Sequence, residues 1–283
     1  MACPVFPRPA RPTRASAFAW ALALAGLLGQ TGAARAGCSR DILVPVAPMG
    51  AAVVAGGATV SGIYPDALRS LGEQNGCHFV FSVVPRARQA ALFESGKSDL
   101  LIPAVQTPQR DRTGLFVPLL SLRPVLISLR GPRAAIGSGQ ELLARPEVRV
   151  ALVRGYDYGE AYTKLAAELL KRGRVTMEVD AMSVARLLQG GFIDATIMNA
   201  SIMSGTAQAD QRVKGLLDRL RLEPLADLPW RQSGAYISTT SVAPNDQAAL
   251  LDVLERTAKS GQLIAGFQRH HKPEILLTSV KPR

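Results

Sequence analysis

The chain has 283 residues, of which 47% are hydrophobic, and no long charged or low-complexity tract interrupts it. These values suit a folded protein with one large or two modest domains and argue against a disordered chain. The formal net charge is +11, but the basic residues are scattered singly or in pairs instead of being clustered on one element. We therefore expect no nucleic acid among the partners.

The first 36 residues carry the features of a secretory signal peptide. Three arginines precede an apolar stretch at 15–29, and small residues at Ala34 and Ala36 follow it. The apolar stretch is shorter than the roughly 20 residues that a membrane-spanning helix needs, so a cleaved leader is favoured over a membrane anchor. We expect export to the periplasm and a mature chain that begins near residue 37.

Strand-like and helix-like segments alternate after the leader. The region from residue 64 to 75 has helical spacing, with Leu68 and Leu71 on one face. Strands and helices that alternate in this way predict a parallel sheet covered by helices. The predicted order is strand "ILVPVA", helix 64–75, strand "HFVFSVV", helix 86–94 and strand "DLLIPAV".

A second unit of the same kind begins near Glu147, so two lobes are predicted. Its segments are strand "VRVALVRG", helix 159–171, strand "VTMEVD", helix "MSVARLLQGG" and strand "ATIMN". The strand "SGAYISTT" and a helical tail at 246–267 follow.

Two cysteines remain after the leader is removed. Cys38 lies just before the first predicted strand, and Cys77 opens the second one. If these strands are parallel neighbours, the two cysteines can reach bridging distance in an oxidising compartment. An alternative makes Cys38 a lipidated first residue, but Arg35 stands where such signals usually have an apolar residue.

The motifs, taken in order, resemble the family 3 extracellular solute-binding proteins, the amino-acid-binding type of periplasmic receptor. The resemblance spans nearly all of residues 40–270 and depends on four segments: "SGIYPDALRSLGEQNGCHFVFSVV", "ALFESGKSDLLIPAVQTPQR", "VRVALVRGYDYGEA" and "LLQGGFIDATIMNAS". It implies an α/β protein with the type II periplasmic-binding-protein fold. Each of its two lobes would be a mostly parallel sheet flanked by helices, and two crossing segments would join them.

The resemblance also implies where the lobes and the ligand lie. Lobe 1 would comprise 37–130 plus 230–283, and lobe 2 would comprise 131–229. The ligand would sit in the cleft between them, beyond the carboxyl ends of the strands. A small-molecule solute and an inner-membrane permease of an ABC transporter would be the partners, and we expect a monomer without cofactor or metal.

Arg110 ends the turn "TPQR", which resembles the turn whose arginine holds the ligand's carboxylate in this family. A guanidinium fork fits a planar carboxylate in two places at once. The predicted site is completed by seven further residues: Gln106 and Thr107 beside the arginine, Tyr156, Asp157 and Asn199 from lobe 2, and Tyr64 and Met49 in the wall.

Two positions depart from the pattern of receptors that bind α-amino acids. Val105 stands where a small hydroxyl residue is common, and Asn199 stands where an aspartate often grips the ammonium group. An amide accepts a hydrogen bond but supplies no charge. The scaffold therefore points to a carboxylate-bearing solute, an amino acid or a related organic acid, without fixing which.

Signals for catalysis are weak, and we expect no enzyme. No nucleophile elbow, H-E-x-x-H, C-x-x-C or P-loop motif occurs. The neighbouring histidines His270 and His271 are better explained as an exposed polar tail than as a metal site. Two alternatives remain open: a periplasmic dehydratase similar to cyclohexadienyl dehydratase, with Asp157 as its acid or base, and a binding protein that serves a sensor.

Overall fold

A computed structural model of the chain describes residues 1–4, 37–57 and 59–283. The predicted signal peptide lies outside the described residues except for its first four. The unit that carries the fold is Ala36–Arg283. In the described part, no helix is long and apolar enough to cross a membrane.

The first lobe starts with two parallel strands, β1 and β4, that pair residue for residue from Ile42 with Phe79 onward. The helix between them buries Leu68 and Leu71, as the sequence predicts. The backbone N–H of Asp99 donates to the oxygen of Leu43 at 3.0 Å and places β5 beside β1. The elements of this region are β1 (Ile42–Val46), β2 (Val54–Gly56), β3 (Thr59–Ser61), α1 (Ile63–Gln74), β4 (Phe79–Val83), α2 (Arg86–Glu94) and β5 (Leu100–Val105).

A four-stranded sheet in the order β13-β6-β12-β5 completes the first lobe, and all its pairs are antiparallel. The expectation of mostly parallel sheets is therefore wrong for this part of the fold. Strand β6 leaves for the second lobe and β12 returns from it, so the two run in opposite directions. The strands concerned are β6 (Gly114–Leu122), β12 (Arg231–Ser238) and β13 (Val280–Pro282).

The second lobe is a five-stranded sheet in the order β11-β7-β10-β8-β9. Strands β8, β9 and β10 are parallel, as predicted, whereas β7 and β11 pair in the antiparallel sense. The elements are β7 (Val125–Leu129), α3 (Gly139–Leu143), β8 (Val150–Val153), α4 (Glu160–Lys171), β9 (Val175–Glu178), α5 (Ala181–Gln189), β10 (Ala195–Met198), α6 (Ala200–Ala209) and β11 (Leu220–Glu223).

The chain passes between the two sheets twice. The first passage lies at 123–124, between β6 and β7, and the second lies at 224–230, between β11 and β12. Because β7 already belongs to the second sheet, the chain first passes between the sheets before residue 130. The limits 37–130 with 230–283 for lobe 1, and 131–229 for lobe 2, stay a prediction.

The predicted helical tail forms two helices, and a third helix follows them. Gly261 interrupts it with a left-handed backbone (φ 72°), a conformation that glycine adopts without steric cost. The helices are α7 (Pro244–Lys259), α8 (Gln262–His270) and α9 (Pro273–Ser279).

The predicted disulfide between Cys38 and Cys77 is present, with the two Cα atoms 4.7 Å apart. The backbone N–H of Cys38 also donates to the oxygen of Gly76 at 3.1 Å. The bridge therefore ties the start of β1 to the start of β4, where the sequence places it.

Candidate functional site

Residues from both lobes meet around one cavity of about 40 Å³, and most of them follow β1, β4, β8 or β10 or lie within β5. This volume holds only about three water molecules, so the cleft is closed. The sequence predicts the ligand beyond the carboxyl ends of the strands. The loops after β1, β8 and β10 line the cavity there, whereas β5 contributes residues of the strand itself, Pro103 to Val105. The chamber is lined by Met49, Ala52, Tyr64, Arg86, Pro103, Ala104, Val105, Leu122, Tyr156, Asp157, Tyr158, Asn199, Ser201, Ile202, Ser233 and Phe267.

The loop after β8 brings the second lobe against the start of α2. Gly155 has a φ of 80°, and a Cβ there would lie 2.7 Å from the backbone of Ala87. This approach needs a glycine and sets Tyr156 beside Arg86. The Tyr156 hydroxyl is buried without a hydrogen-bond partner, and burial raises the pKa of this phenol, with a further contribution from Tyr158.

Asp157 lines the chamber and is already engaged. Its Oδ1 accepts the backbone N–H of Gly159 at 2.7 Å, ahead of α4. Its Oδ2 lies 3.7 Å from the Nη1 of Arg110. These contacts hold the carboxylate in place.

Asn199 is 1% exposed and all its hydrogen-bonding atoms are used. Its Nδ2 donates to the oxygen of Ser279 at 2.7 Å, which joins α6 to the end of α9. Its Oδ1 accepts from the backbone N–H (2.9 Å) and hydroxyl (2.6 Å) of Ser201 and so caps α6. Tyr158 contributes its hydroxyl oxygen as acceptor for the Asn199 backbone N–H at 3.2 Å.

Arg110 is 5% exposed but does not line the chamber. Its Nη1 donates to the oxygen of Val105 at 3.2 Å. Two carboxylates lie near its guanidinium: Glu94 at 3.9 Å and Asp157 at 3.7 Å. In the closed cleft these acids compensate the charge of the predicted anchor.

Thr107 and Gln106 also lie outside the chamber. The backbone N–H of Thr107 donates to the hydroxyl of Tyr236 at 2.9 Å, and that hydroxyl donates to Asp111 at 2.7 Å. Gln106 is exposed and reaches Asp111 only at 3.3 Å. In this conformation both residues support the turn that carries Arg110.

Tyr64 and Met49 form part of the chamber wall, where the sequence places them. Tyr64 is 2% exposed and packs edge-on against Phe267, with ring centroids 6.2 Å apart. Burial raises the pKa of the Tyr64 phenol, and the Ser233 side chain opposes the rise. The wall of the first lobe is thus apolar apart from two hydroxyl groups and Arg86.

Sequence reasoning missed Arg86, which lines the chamber at the first position of α2. Burial, followed by the positive charge of Arg110, lowers the pKa of Arg86 to about 10. The signal that points to it is the Pro-Arg pair where β4 ends and a helix begins. Helix starts at the carboxyl ends of parallel strands face the crevice of such sheets.

Asp99 and Asp194, which lie outside the predicted site, have structural partners. Asp99 accepts hydrogen bonds from the Nη1 and Nη2 of Arg40, at 2.7 and 2.8 Å. Asp194 forms a salt bridge with Arg149 at 2.9 Å. Within the described residues, no group of three or more His, Cys, Asp or Glu side chains is placed to hold a metal ion.

Comparison with protein-family models finds no match, and comparison with curated proteins finds none either. Solved structures match over most of the chain. An amino acid ABC transporter substrate-binding protein from Streptococcus pneumoniae bound to L-arginine has a TM-score of 0.63 and 15% identity, over 81% of this chain and 93% of that one.

Two further structures extend this likeness. A histidine kinase sensor domain with similarity to periplasmic binding proteins has a TM-score of 0.64 and 16% identity, over 82% of this chain and 96% of that one. An ancestral amino-acid-binding protein, a precursor of cyclohexadienyl dehydratase, has a TM-score of 0.63 and 16% identity, over 82% and 95%. The chain has the periplasmic-binding-protein fold, so the predicted fold class is confirmed.

Proposed function

We propose that the protein is a periplasmic solute-binding protein that captures a small carboxylate-bearing solute, an amino acid or a related organic acid, for an ABC-type transporter. The observation that carries this proposal is the chamber between the lobes, because both lobes contribute its walls. The Streptococcus pneumoniae protein, which has a similar fold, is an ABC transporter substrate-binding protein with bound L-arginine, and this likeness supports the proposed role in transport. Export through the predicted signal peptide belongs to the same proposal.

Binding would require the cleft to open, because about 40 Å³ is too small for an amino acid. The solute would then stabilise the closed state through contacts that exist only when both lobes touch it. Candidates for these contacts are Tyr156, Asp157 and Asn199 on lobe 2 and Tyr64 and Met49 on lobe 1. Arg110, with Thr107 and Gln106, is the acid-binding turn that the sequence favours.

Two of the structural matches suggest alternative functions. The sensor-domain match fits a protein that reports a solute to a kinase. The dehydratase-precursor match fits an enzyme, with Asp157 as its acid or base. Asp157 already contacts Gly159 and Arg110, which favours binding over proton transfer.

A thermal-shift screen tests the proposal on protein isolated from the periplasm and freed of carried-over ligand. The panel holds amino acids, dicarboxylates, aromatic acids, polyamines, prephenate and arogenate. A ligand at 100 times its dissociation constant adds about 2.7 kcal/mol, which raises the melting temperature of a chain of this size by roughly 5 to 10 °C. A stabilising acid recovered unchanged supports the proposal. Conversion of prephenate or arogenate makes the protein an enzyme, and the absence of a shift with any amino acid or organic acid of the panel refutes the proposed ligand class.

A further inference from the structure

Arg86 is a buried cation that contacts only neutral groups. Its side chain is 7% exposed and lines the chamber. Nη1 donates to the Oε1 of Gln89 at 2.6 Å, and Nη2 donates to the oxygen of Pro103 at 2.9 Å. Its Nε is buried without a hydrogen bond. Among the described residues, no carboxylate lies within ion-pair distance of this guanidinium.

The neighbouring Arg110 differs in this respect, because Glu94 and Asp157 lie within 4 Å of it. A buried charge without a partner is strongly unfavourable, and an anion that pairs with it removes that penalty. With its pKa near 10, Arg86 keeps its charge at neutral pH. Arg110 therefore has two carboxylates within 4 Å and Arg86 has none among the described residues, although the Nε of each arginine is buried without a hydrogen bond.

Arg86 and Tyr156 line both the chamber and a second cavity of about 230 Å³. This second cavity exceeds the roughly 150 Å³ in which an apolar protein cavity holds benzene. Ends of strands from both lobes line it, and it opens to the surface, where Val83 and Val179 are 47% and 51% exposed. Its other lining residues are almost all apolar: Ala47, Pro48, Val83, Val84, Pro85, Val153, Val179 and Asp180.

Two acids near Arg86 could hold an ammonium group, and each already has a partner. Asp157 accepts from Gly159 and faces Arg110. Asp180 lies in the second cavity and caps α5 by accepting the backbone N–H of Ser183 at 2.8 Å. The orphan donors at the junction of the cavities are the Nε of Arg86 and the hydroxyl of Tyr156, and both suit a carboxylate.

We infer that Arg86 is the cation that binds the solute's carboxylate, and that the solute is an organic acid with an apolar body and no ammonium group beside the acid. The inference rests on the proposed solute-binding function and names the ligand class of the same site. The acid group lies between Arg86 and Tyr156, and the apolar body fills the second cavity. Arg110 keeps Asp157 in the wall.

Isothermal titration of ligand-free protein with two matched pairs tests the ligand class. The pairs are 3-phenylpropanoate with L-phenylalanine, and hexanoate with L-norleucine, whose members differ only by the ammonium group. At least one acid is expected to bind about tenfold more tightly than its amino-acid partner. An amino acid that binds as tightly as its matched acid overturns the ligand class.

The variants Arg86→Met, Arg110→Met and Arg88→Met test the anchor with the tighter-binding acid. Arg88 is exposed on the same helix and serves as the matched control. We expect Arg86→Met to weaken binding about 30-fold or more, as for the loss of one partner of a buried charge pair. Arg88→Met leaves the affinity unchanged, and Arg110→Met has a smaller effect than Arg86→Met.

If Arg86→Met binds the acid with wild-type affinity and Arg110→Met loses much of that affinity, Arg110 binds the carboxylate and the inference is wrong. If Arg86→Met does not fold by circular dichroism, Arg86→Lys replaces it, because lysine keeps the charge without the planar fork. A loss of about fivefold or more then supports the assignment, and no loss overturns it. If neither acid binds but an amino acid of the thermal-shift panel does, the inference fails and the proposed function stands.

Discussion

Removal of the disulfide between Cys38 and Cys77 is expected to destabilise the protein by an amount that its loop length sets. The two cysteines are 39 residues apart in sequence. Closing a loop of that length restricts the unfolded chain by about 4 kcal/mol at 25 °C. In the folded state β1 and β4 are already held together by their backbone ladder, so most of the effect lies in the unfolded state.

The double variant Cys38→Ala/Cys77→Ala removes the bridge without leaving a lone reactive thiol. Its melting temperature should fall by about 8 to 16 °C, since each kcal/mol shifts a chain of this size by roughly 2 to 4 °C. Calorimetry and urea unfolding monitored by circular dichroism measure the change. The control is dithiothreitol, which should destabilise the wild type to a similar extent and leave the double variant unaffected.

A loss below about 1 kcal/mol would refute this reasoning, because the bridge would then restrict the unfolded chain far less than its loop length requires. A large loss in the double variant with no effect of dithiothreitol would indicate that alanine disturbs the packing of Cys77, which is 3% exposed.

Three further changes test roles that the structure gives to buried polar groups. Asn199→Asp should lower the free energy of unfolding by about 1 to 3 kcal/mol in urea titrations, because a carboxylate cannot donate to the Ser279 oxygen. Tyr236→Phe should cost about 1 to 2 kcal/mol, since the Thr107 backbone N–H loses its acceptor. Burial lowers the pKa of His271 to about 4. The unfolded histidine takes up its proton first as the pH falls, so wild-type stability should decline from about pH 6.5 towards pH 4, and His271→Phe should remove that part of the slope in melting curves.

Local patterns were sufficient for much of the fold. The apolar face of α1 and the strand starts at Cys38 and Cys77 follow from residues that are close in sequence, and these elements form as predicted. The tail shows the limit of periodicity alone. The helical spacing continues across Gly261, but the left-handed backbone of that glycine divides the segment in two.

The site was harder to predict, because its residues act through partners that are distant in the chain. The side-chain amide of Asn199 donates a hydrogen bond to the backbone oxygen of Ser279, 80 residues away. No local sequence pattern shows that contact. Arg86 looks like an ordinary surface arginine at the start of a helix. Its importance comes from burial by the loop after β8, which approaches through Gly155. Sequence order indicates the loops after β1, β8 and β10, which line the chamber, but only packing shows which side chains face inward.

The two departures from the amino-acid-binding pattern have one consequence. Val105 turns an apolar side chain to the chamber while its carbonyl oxygen holds Arg110, and Asn199 uses its amide to join α6 to α9. The first removes a hydroxyl from the chamber wall, and the second removes an acid. An ammonium group in this cleft would have to share Asp157 with Gly159 and Arg110, a cost that an acid lacking that group does not carry. Since specificity is a difference between two binding free energies, the uncompensated Arg86 and the missing acid act together to favour an acid over the corresponding amino acid.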